Sequence, residues 1–305
     1  MGQCKLCNNN DNLCDSHILP KFFFKWLKET SATELLRIAD NPNKPVQDGI
    51  KRKLFCKDCE ERFSKLETYF LNTFFHPYIN DYLDEFMAET TKVDPIYYDE
   101  RLLKFIISLQ WRILITAKSN YQTNNEKFNV ILTKKIEVWR KYLMGDRKDT
   151  GIGKTHMLFL RNLINGKGYI HQDISPNINR YLLRASDGTM VKSDKKLFIF
   201  SKLGPFTFFT FLLPENIKDY HNTIVRRKGK ISPVQKLLNP SINQFLFFDR
   251  PKKTDSCFEF SKKQKKKIET RWLANEERSL NSTTFKIAET DRMMSKIKQN
   301  SSDEN

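Results

Sequence analysis

The sequence has 305 residues, of which 39% are hydrophobic and 12% aromatic, so the chain can bury a sizeable core and is not intrinsically disordered. Its formal net charge is +17, and residues 121–250 alone carry 23 basic and 10 acidic side chains. A basic surface attracts polyanions such as nucleic acid, but charge alone is as typical of a solvated surface as of DNA binding.

The N-terminal residues are polar and lack the apolar segment of a signal peptide. The longest apolar stretch, residues 102–117, is interrupted by Lys104, Gln110 and Arg112, which predicts a buried helix rather than a membrane span. We therefore expect a cytoplasmic protein that does not contact the membrane. In the reducing cytoplasm, clustered cysteines indicate metal binding more often than disulfides.

Two C-x-x-C motifs, here called the cysteine hooks, lie in the first sixty residues: Cys4-Lys-Leu-Cys7 and Cys56-Lys-Asp-Cys59. Each hook delivers two thiolates from one tight turn, which suits a tetrahedral structural Zn²⁺. The run after Cys59 predicts a helix, so we expect the first hook on a β-turn and the second at the start of that helix. The alternative is a set of unrelated buried cysteines. Cys14 is expected to be a core residue, with entry into the zinc shell as its alternative.

The segment between the hooks reads Asp-Ser-His-Ile-Leu-Pro at residues 15–20, and the second hook lies in Leu-Phe-Cys-Lys-Asp-Cys-Glu at residues 54–60. In the order and spacing of these motifs, residues 4–67 resemble the HNH endonucleases, the ββα-metal nucleases built on a zinc-binding treble clef. The resemblance covers about a fifth of the chain. It implies a zinc-stabilised treble-clef module that hydrolyses phosphodiester bonds with the help of a divalent metal ion.

The resemblance also implies roles for individual residues. His17 would be the general base that deprotonates water, since an imidazole can accept a proton near neutral pH. One Mg²⁺ or Mn²⁺ would be the catalytic ion, and Glu60 stands where the family has a metal-binding histidine; a carboxylate suits Mg²⁺. The family's ligand directly before the histidine is replaced by Ser16. Asp15 and Asp48 are the candidates for a second ligand, although an extended strand would point Asp15 to the face opposite residue 16.

The part of the motif after Pro20 is longer than in the compact family pattern. The run KFFFKWLKETS at residues 21–31 is interpreted as a helix inserted after the proline. The family's central asparagine has no single counterpart here, and three candidates remain open: Asn41, Asn43 and Asp48.

The remaining elements predict three further regions, so that the chain divides at residues 1–70, 71–150, 151–250 and 251–305. Residues 71–150 are expected to be helical, with an interior helix over 97–119 and an amphipathic one over 127–145. Residues 151–250 are expected to form a basic α+β domain of short β-rich runs, with paired strands over 197–214. The tail at 251–305 is expected to be helical and basic, and its run KKQKKK at 262–267 fits either phosphate binding or a solvated helix face.

The expected fold class is therefore α+β: an N-terminal zinc-binding treble-clef (ββα-metal) module, a helical middle region and a β-rich C-terminal domain. The resemblance implies an HNH-like endonuclease acting on double-stranded DNA, in a bacterial restriction or anti-phage defence system. The main alternative is a non-catalytic, zinc-stabilised DNA- or protein-binding module of a multi-protein complex. A third reading is an effector whose activity depends on a protein partner.

Overall fold

The chain forms an α+β protein, as predicted, in a computed structural model that describes residues 1–38, 41–83, 94–116, 126–163, 171–193 and 195–303. None of the described helices combines the length and the apolar character that crossing a bilayer would require. The strands are β1 (Gly2–Gln3), β2 (Asn10–Asp11), β3 (Asp15–His17), β4 (Leu36–Ile38), β5 (Asn41–Val46), β6 (Lys51–Lys53), β7 (Ile96–Tyr98), β8 (Lys154–Phe159), β9 (Ser186–Ser193), β10 (Lys196–Leu203), β11 (Phe206–Leu213), β12 (Tyr220–His221), β13 (Ile224–Val225), β14 (Gly229–Ile231) and β15 (Lys236–Leu237). The helices are α1 (Lys21–Glu29), α2 (Lys57–Phe70), α3 (His76–Leu83), α4 (Glu100–Thr116), α5 (Glu126–Met144), α6 (Ile178–Arg184), α7 (Pro240–Gln244), α8 (Arg250–Thr254), α9 (Lys262–Leu273), α10 (Glu276–Asn281) and α11 (Thr283–Asp303).

The N-terminal region consists of two small antiparallel ribbons followed by a long helix. The first ribbon pairs β1 with β2, and the second pairs β3 with β6. Helix α2 follows β6 directly and continues through a π-helical turn at Leu71–Phe75 into α3. The β1–β2 turn, the β3–β6 ribbon and the start of α2 therefore lie next to one another, and the candidate site is built on these elements.

A long insertion separates the two strands of the β3–β6 ribbon. It contains α1, as the sequence predicted, and the β4–β5 hairpin. Helix α1 turns Phe23 and Trp26 into the core, while its lysines face outward, as expected of an amphipathic surface helix.

Side chains from much later in the chain hold this insertion in place. Arg184 donates to the carbonyl oxygen of Leu27 at 2.8 Å and to Oγ1 of Thr30 at 2.8 Å. Arg278 forms an ion pair with Glu34, and the hydroxyl of Ser279 donates to a backbone carbonyl at residue 32. The conformation of the insertion therefore depends on contacts made by α6 and α10.

The predicted interior helix is observed as α4, and the predicted amphipathic one as α5. Helix α4 is buried on nearly all sides because it packs between α2 and α5 on one side and the central sheet on the other. Its polar residue Gln110 accepts a hydrogen bond at 2.6 Å from Thr210 of the sheet, which satisfies a buried amide.

The central sheet is antiparallel and has the strand order β13-β8-β11-β10-β9. Alternate residues of its strands belong to two cores. Met157, Ile199 and Phe208 face the core shared with α4, and the opposite face of the sheet packs against α6, α7 and α11. Because both faces are covered, β10 and β11 read as nearly continuous apolar runs rather than as alternating ones.

The predicted strand pair at 197–214 is confirmed as the β10–β11 hairpin. Gly204 in its turn has a φ of +56°, and a Cβ atom there would lie 2.9 Å from the carbonyl oxygen of Leu183. Lys202 is fully buried beside this turn and donates to the carbonyl oxygens of Tyr181 and Leu182 at 2.6 and 2.8 Å. Its ammonium group thereby caps the C-terminal end of α6, where helix carbonyls lack intrahelical donors.

One sequence expectation is wrong in this region. The run beginning at Arg180 was expected to be β-rich, but residues Ile178–Arg184 form helix α6. Its apolar residues are too few to distinguish a short buried helix from a buried strand, and packing of α11 and the sheet on either side of it decides the outcome.

The larger core runs across the predicted divisions of the chain. Its buried members include Cys4 and Phe55 from the first region, Trp111 from the second, and Phe206 from the third. The boundary at 150 falls between α5 and β8, whereas the one at 70 falls inside the continuous helical run of α2 and α3. Apolar packing is continuous through both.

Candidate active site and metal centre

The four hook cysteines meet at one point. Cys4 and Cys7 lie on the turn that joins β1 to β2, where the backbone N–H of Asn8 donates to the carbonyl of Cys4 at 2.9 Å. Cys56 is the residue before α2, and Cys59 lies in its first turn. The prediction of a hook on a β-turn and a hook at a helix start is thus confirmed.

The geometry of these thiols fits a metal ion. Their four sulfur atoms all lie within 4.8 Å of one another, and the Sγ atoms of Cys7 and Cys56 are 3.8 Å apart without a disulfide. Zinc held at about 2.3 Å from four thiolates requires sulfur–sulfur separations of roughly 3.8 Å. The cluster is therefore compatible with a structural metal such as zinc, and Cys14 does not belong to it.

The electrostatics of the cluster agree with metal binding. Burial acts to raise the pKa of Cys4, but hydrogen bonds from the backbone N–H groups of Cys7, Cys56 and Leu6 lower it to about 7. Burial raises the pKa of Cys59. The Cys4 thiol is thus prepared for ionisation, whereas the Cys59 thiol needs a nearby cation, which is the situation in which metal binding drives deprotonation.

The residue pair nearest to the predicted chemistry is His17 with Asp48. His17 is the last residue of β3 and lies opposite Lys51 of β6, three residues after Asp48. Nε2 of His17 is 2.9 Å from Oδ2 of Asp48, and Nζ of Lys51 is 2.8 Å from the same oxygen. The backbone N–H of Gly49 donates to Oδ1 of Asp48 at 2.8 Å. The β3–β6 pairing therefore brings together two residues that lie 31 positions apart.

These contacts determine the state of Asp48. Partial burial acts to raise its pKa, but hydrogen bonds from Lys51, His17 and Gly49 hold the pKa well below its usual range. The carboxylate is consequently ionised at neutral pH and can only accept hydrogen bonds. A neutral His17 must therefore carry its proton on Nε2, which leaves Nδ1 as the nitrogen that can accept one. Among the described residues, none forms a hydrogen bond with Nδ1 of His17, and the His17 side chain is 15% exposed.

A buried arginine fixes the backbone of the histidine. Nη1 of Arg112, on α4, donates to the carbonyl oxygen of His17 at 2.9 Å, and Nη2 lies 2.8 Å from a carboxylate oxygen of Glu67 on α2. The guanidinium also lies over the ring of Phe63 at 5.4 Å. Arg112 is only 2% exposed, so the β3–β6 ribbon, α2 and α4 meet at one buried cation.

The other predicted site residues do not join the His17–Asp48 pair. Asp15 is 64% exposed and forms an ion pair with Lys53 at 3.3 Å. Ser16 is buried, as regular strand alternation requires, and the β3–β6 register contains no bulge that would turn Asp15 towards it. Glu60 lies half-buried in the first turn of α2, and its backbone N–H donates to the carbonyl of Cys56.

Among the described residues, the hook cysteines form the only group of three or more cysteine, histidine, aspartate or glutamate side chains close enough to hold a metal ion. His17, Glu60 and a second carboxylate therefore do not form such a group among the described residues. Asn43, a candidate for the central asparagine, instead accepts a hydrogen bond from the backbone of Ser261 at 2.8 Å.

Sequence reasoning missed Lys51 and Arg112. Lys51 could have been found only through the strand register, because basic residues are common throughout this chain. Arg112 carried a visible signal, since a guanidinium in the middle of an apolar helix must be paired when it is buried.

Comparisons of the chain with protein-family models, with curated proteins and with solved structures give no match.

Proposed function

We propose that the chain is a zinc-stabilised, metal-dependent nuclease of HNH type, in which His17 is the general base and Asp48 orients it. The observation that carries the proposal is the 2.9 Å contact between Nε2 of His17 and Oδ2 of Asp48, on a hairpin beside the four-cysteine cluster. A histidine whose tautomer is set by a carboxylate is a recurrent arrangement for taking a proton from a nucleophile.

The local architecture supports the treble-clef part of the proposal. A turn carrying the first hook, a hairpin and a helix that begins at the second hook follow one another in the order that the family resemblance implies. Zinc bound by the four cysteines would hold the hairpin against α2, and with it the strand that ends in His17.

The proposed reaction uses the nitrogen that Asp48 leaves free. Nδ1 of His17 takes a proton from water as the water oxygen bonds to phosphorus, and the phosphorus–oxygen bond to the leaving alcohol breaks. The leaving oxygen then takes a proton from solvent. Asp48 stabilises the positive charge that develops on the imidazole, because it is ionised and in direct contact with Nε2.

A divalent ion, Mg²⁺ or Mn²⁺, would supply charge that stabilises the phosphate and the leaving oxygen, with Glu60 as the expected ligand and Asp48 or Asp15 as the second. Carboxylates suit these hard cations. Mg²⁺ is commonly bound through one or two carboxylates, water and substrate phosphates, so three converging protein ligands are not required.

Double-stranded DNA is the proposed substrate. The three residues of β6 are basic and exposed beside His17, and the chain as a whole has a net charge of +17. A basic strip next to the proposed base would hold the backbone by charge, without regard to base sequence. Service in a bacterial defence system, with a protein partner, stays a prediction of the family resemblance.

One observation favours the second candidate, a non-catalytic binding module. Asp48 is already engaged by both His17 and Lys51, and neither Asp15 nor Glu60 joins them among the described residues. In that case zinc would only stabilise a docking surface for DNA or protein.

Plasmid nicking with Mg²⁺ or Mn²⁺ separates the two candidates. We expect His17→Ala to slow nicking by about 10²- to 10⁴-fold, because general-base catalysis typically contributes that much, and Asp48→Asn to slow it by about 10²-fold or more through loss of the correct tautomer. His221→Ala, at an exposed position of β12, is the matched control and should nick like the unaltered protein.

Zinc content and duplex affinity should be unchanged in all three variants. If His17→Ala nicks plasmid at the rate of the unaltered protein, His17 is not the general base. An unaltered protein that binds duplex but cleaves it with neither metal ion would support the binding module instead.

A further inference from the structure

Four basic side chains from two distant parts of the chain gather on one side of the molecule. Arg37 lies on β4 and Lys44 on β5, both in the insertion, while Lys267 and Arg271 lie on α9. Lys44, Lys267 and Arg271 line a cavity of about 240 Å³, which we call the cation cavity. The amide side chains of Asn43 and Gln264 complete its polar lining.

Among the residues that the structure describes, no carboxylate compensates the charges of these side chains. No described residue forms an ion pair with any of the four, and the described residues that line the cation cavity include no acidic side chain. Burial lowers the pKa of Arg37, and the positive charge of Arg271 lowers it further. Like charges held together in this way are unfavourable until an anion lies between them.

The framework that holds the charges is built from hydrogen bonds. Asn43 accepts from the backbone N–H of Ser261 at 2.8 Å, and Ser261 caps α9 by accepting from the N–H of Gln264. In the amide orientation that satisfies both ends, Gln264 accepts from both terminal nitrogens of Arg37 at 3.1 and 2.9 Å and donates to the carbonyl of Asn43. The β4–β5 hairpin and α9 are therefore joined by neutral amides and by Arg37, whose Nη1 also donates to the carbonyl of Pro42. Lys44, Lys267 and Arg271 remain available at the cavity.

The cation cavity differs from the rest of the basic helix. Lys262, Lys263 and Lys266 do not line the cavity, as expected of a solvated helix face, whereas Lys267 and Arg271, which are also exposed, do line it. Lys267 and Arg271 are four residues apart, so they lie on one face of the helix, and that face meets Lys44. A recess lined by several cations has the chemistry that binds phosphate.

We propose that the cation cavity binds a backbone phosphate of a nucleic acid. Lys44 precedes Asp48 by only four residues, so their Cα atoms lie within roughly 14 Å, or about four base-pair rises of a duplex. The distance between the cation cavity and the proposed active site is therefore short enough for one duplex to span. The identity of the anion as part of the substrate rests on the proposed function, whereas phosphate binding itself does not.

Duplex binding measured by fluorescence anisotropy, with zinc-loaded full-length protein and without added Mg²⁺, tests the proposal. Lys267→Gln with Arg271→Gln removes two charges from the cavity, and Lys262→Gln with Lys266→Gln removes two from the same helix outside it. We expect the first double variant to weaken binding about tenfold or more and to reduce the salt slope by 1 to 2, since each phosphate contact contributes about one. The control should change affinity by less than about threefold.

Equal weakening by both double variants would overturn the proposal, because it would show a general charge effect rather than a site. Unchanged duplex affinity in Lys267→Gln with Arg271→Gln would also overturn it, and so would competition by inorganic phosphate that is equally effective in the unaltered protein and in that variant. Since no cleavage is measured, a failure of His17 to act as a base would leave these results unaffected. A failure of the cation cavity would likewise leave the nicking experiment informative.

Discussion

At the scale of single residues, the candidate site depends on a buried cation that makes no proposed contact with substrate. Arg112 connects the carbonyl of His17 to the carboxylate of Glu67 and is almost fully buried. A buried ion pair contributes little net stability compared with an apolar pair, but removing one partner leaves an uncompensated charge. Arg112 is therefore expected to position His17 and to be costly to replace.

Replacement of Arg112 by Met should lower the free energy of unfolding by about 3 to 5 kcal/mol, because Glu67 loses its partner and the His17 carbonyl loses its donor. Adding Glu67→Leu should restore part of this loss, since the unpaired carboxylate is then absent. Urea unfolding of both variants measures the effect. Arg101→Met, which breaks an exposed ion pair with Asp99, is the control and should cost less than about 1 kcal/mol. A cost for Arg112→Met no larger than that of the control would contradict the assignment.

At the residue scale, local pattern predicted the cysteine hooks and His17 but not the partner choice of the carboxylates. The C-x-x-C spacing is a local signal, and it brought four sulfur atoms to one point. The contact between His17 and Asp48, which was expected only as a possible metal ligand, depends on the register of β3 with β6 across a long insertion. Such a register is set by packing far from the motif, so a single sequence leaves it undetermined.

At the scale of elements, the central sheet contains a histidine with a structural rather than catalytic setting. His156 on β8 is fully buried, with Nδ1 2.8 Å from Oγ1 of Thr223 and Nε2 3.0 Å from Oδ1 of Asn216. Burial lowers its pKa to about 4, and the hydrogen bond to Asn216 opposes this only in part. The folded protein therefore keeps this imidazole neutral at pH values where an unfolded chain would protonate it.

The contribution of His156 to stability should change between pH 6.5 and 4. In this window the unfolded chain binds a proton and the folded chain does not, so stability falls as the pH falls, by about 3 kcal/mol in all. His156→Gln should remove this pH dependence, and His221→Gln, at an exposed position, should retain it. Urea unfolding at several pH values gives the two slopes. Parallel slopes for His156→Gln and the unaltered protein would contradict the prediction.

The effect of His156 must be measured by comparing variants, because another buried group makes stability rise as the pH falls. Burial raises the pKa of Asp291, on α11, to about 6, despite hydrogen bonds from the backbone N–H groups of Asn179 and Arg180. Its carboxyl group stays protonated in the folded state where the unfolded chain would ionise it, so this group adds stability as the pH falls from 6 to about 4. The contributions of His156 and Asp291 to the pH dependence of stability therefore partly cancel in the unaltered protein.

Elements with a strong internal pattern could be predicted from the sequence, and short ones could not. Helix α4 and the β10–β11 hairpin are long and distinctly apolar, and each is found close to its expected position. Helix α6 has only two turns, and its apolar residues fit a strand equally well. It is helical because Lys202 caps its end and α11 packs along it, both of which are tertiary effects.

At the scale of the whole molecule, the four-cysteine cluster is part of the main core. Cys4, Cys56 and Cys59 are buried in the same cluster as residues of α4 and of the central sheet. Arg140 of α5 donates to the carbonyl of Leu6 at 3.0 Å, within the first hook. The hook region is thus expected to unfold together with the rest of the chain.

Removal of zinc with a strong chelator should lower the Tm of the whole protein by about 10 °C or more in one transition, because structural zinc contributes several kcal/mol and the core is shared. Cys59→Ser should have the same effect, and Cys14→Ser, outside the cluster, should retain both zinc and Tm. Calorimetry combined with a colorimetric zinc assay measures this. Two separate transitions, or an unchanged Tm after complete zinc loss, would contradict the prediction.

The contacts that Arg184, Arg278 and Ser279 make with the insertion have a consequence for synthesis on the ribosome. The cysteine hooks, His17 and Asp48 emerge within the first sixty residues, but the side chains that hold residues 27–34 are translated only at positions 184 and 278–279. The four cysteines of a nascent chain are therefore available early, while the insertion between His17 and Asp48 still lacks the side chains that hold it. Under the proposed function, the insertion that joins His17 to Asp48 would be fully anchored, and the nuclease active, only after residue 279 has been translated.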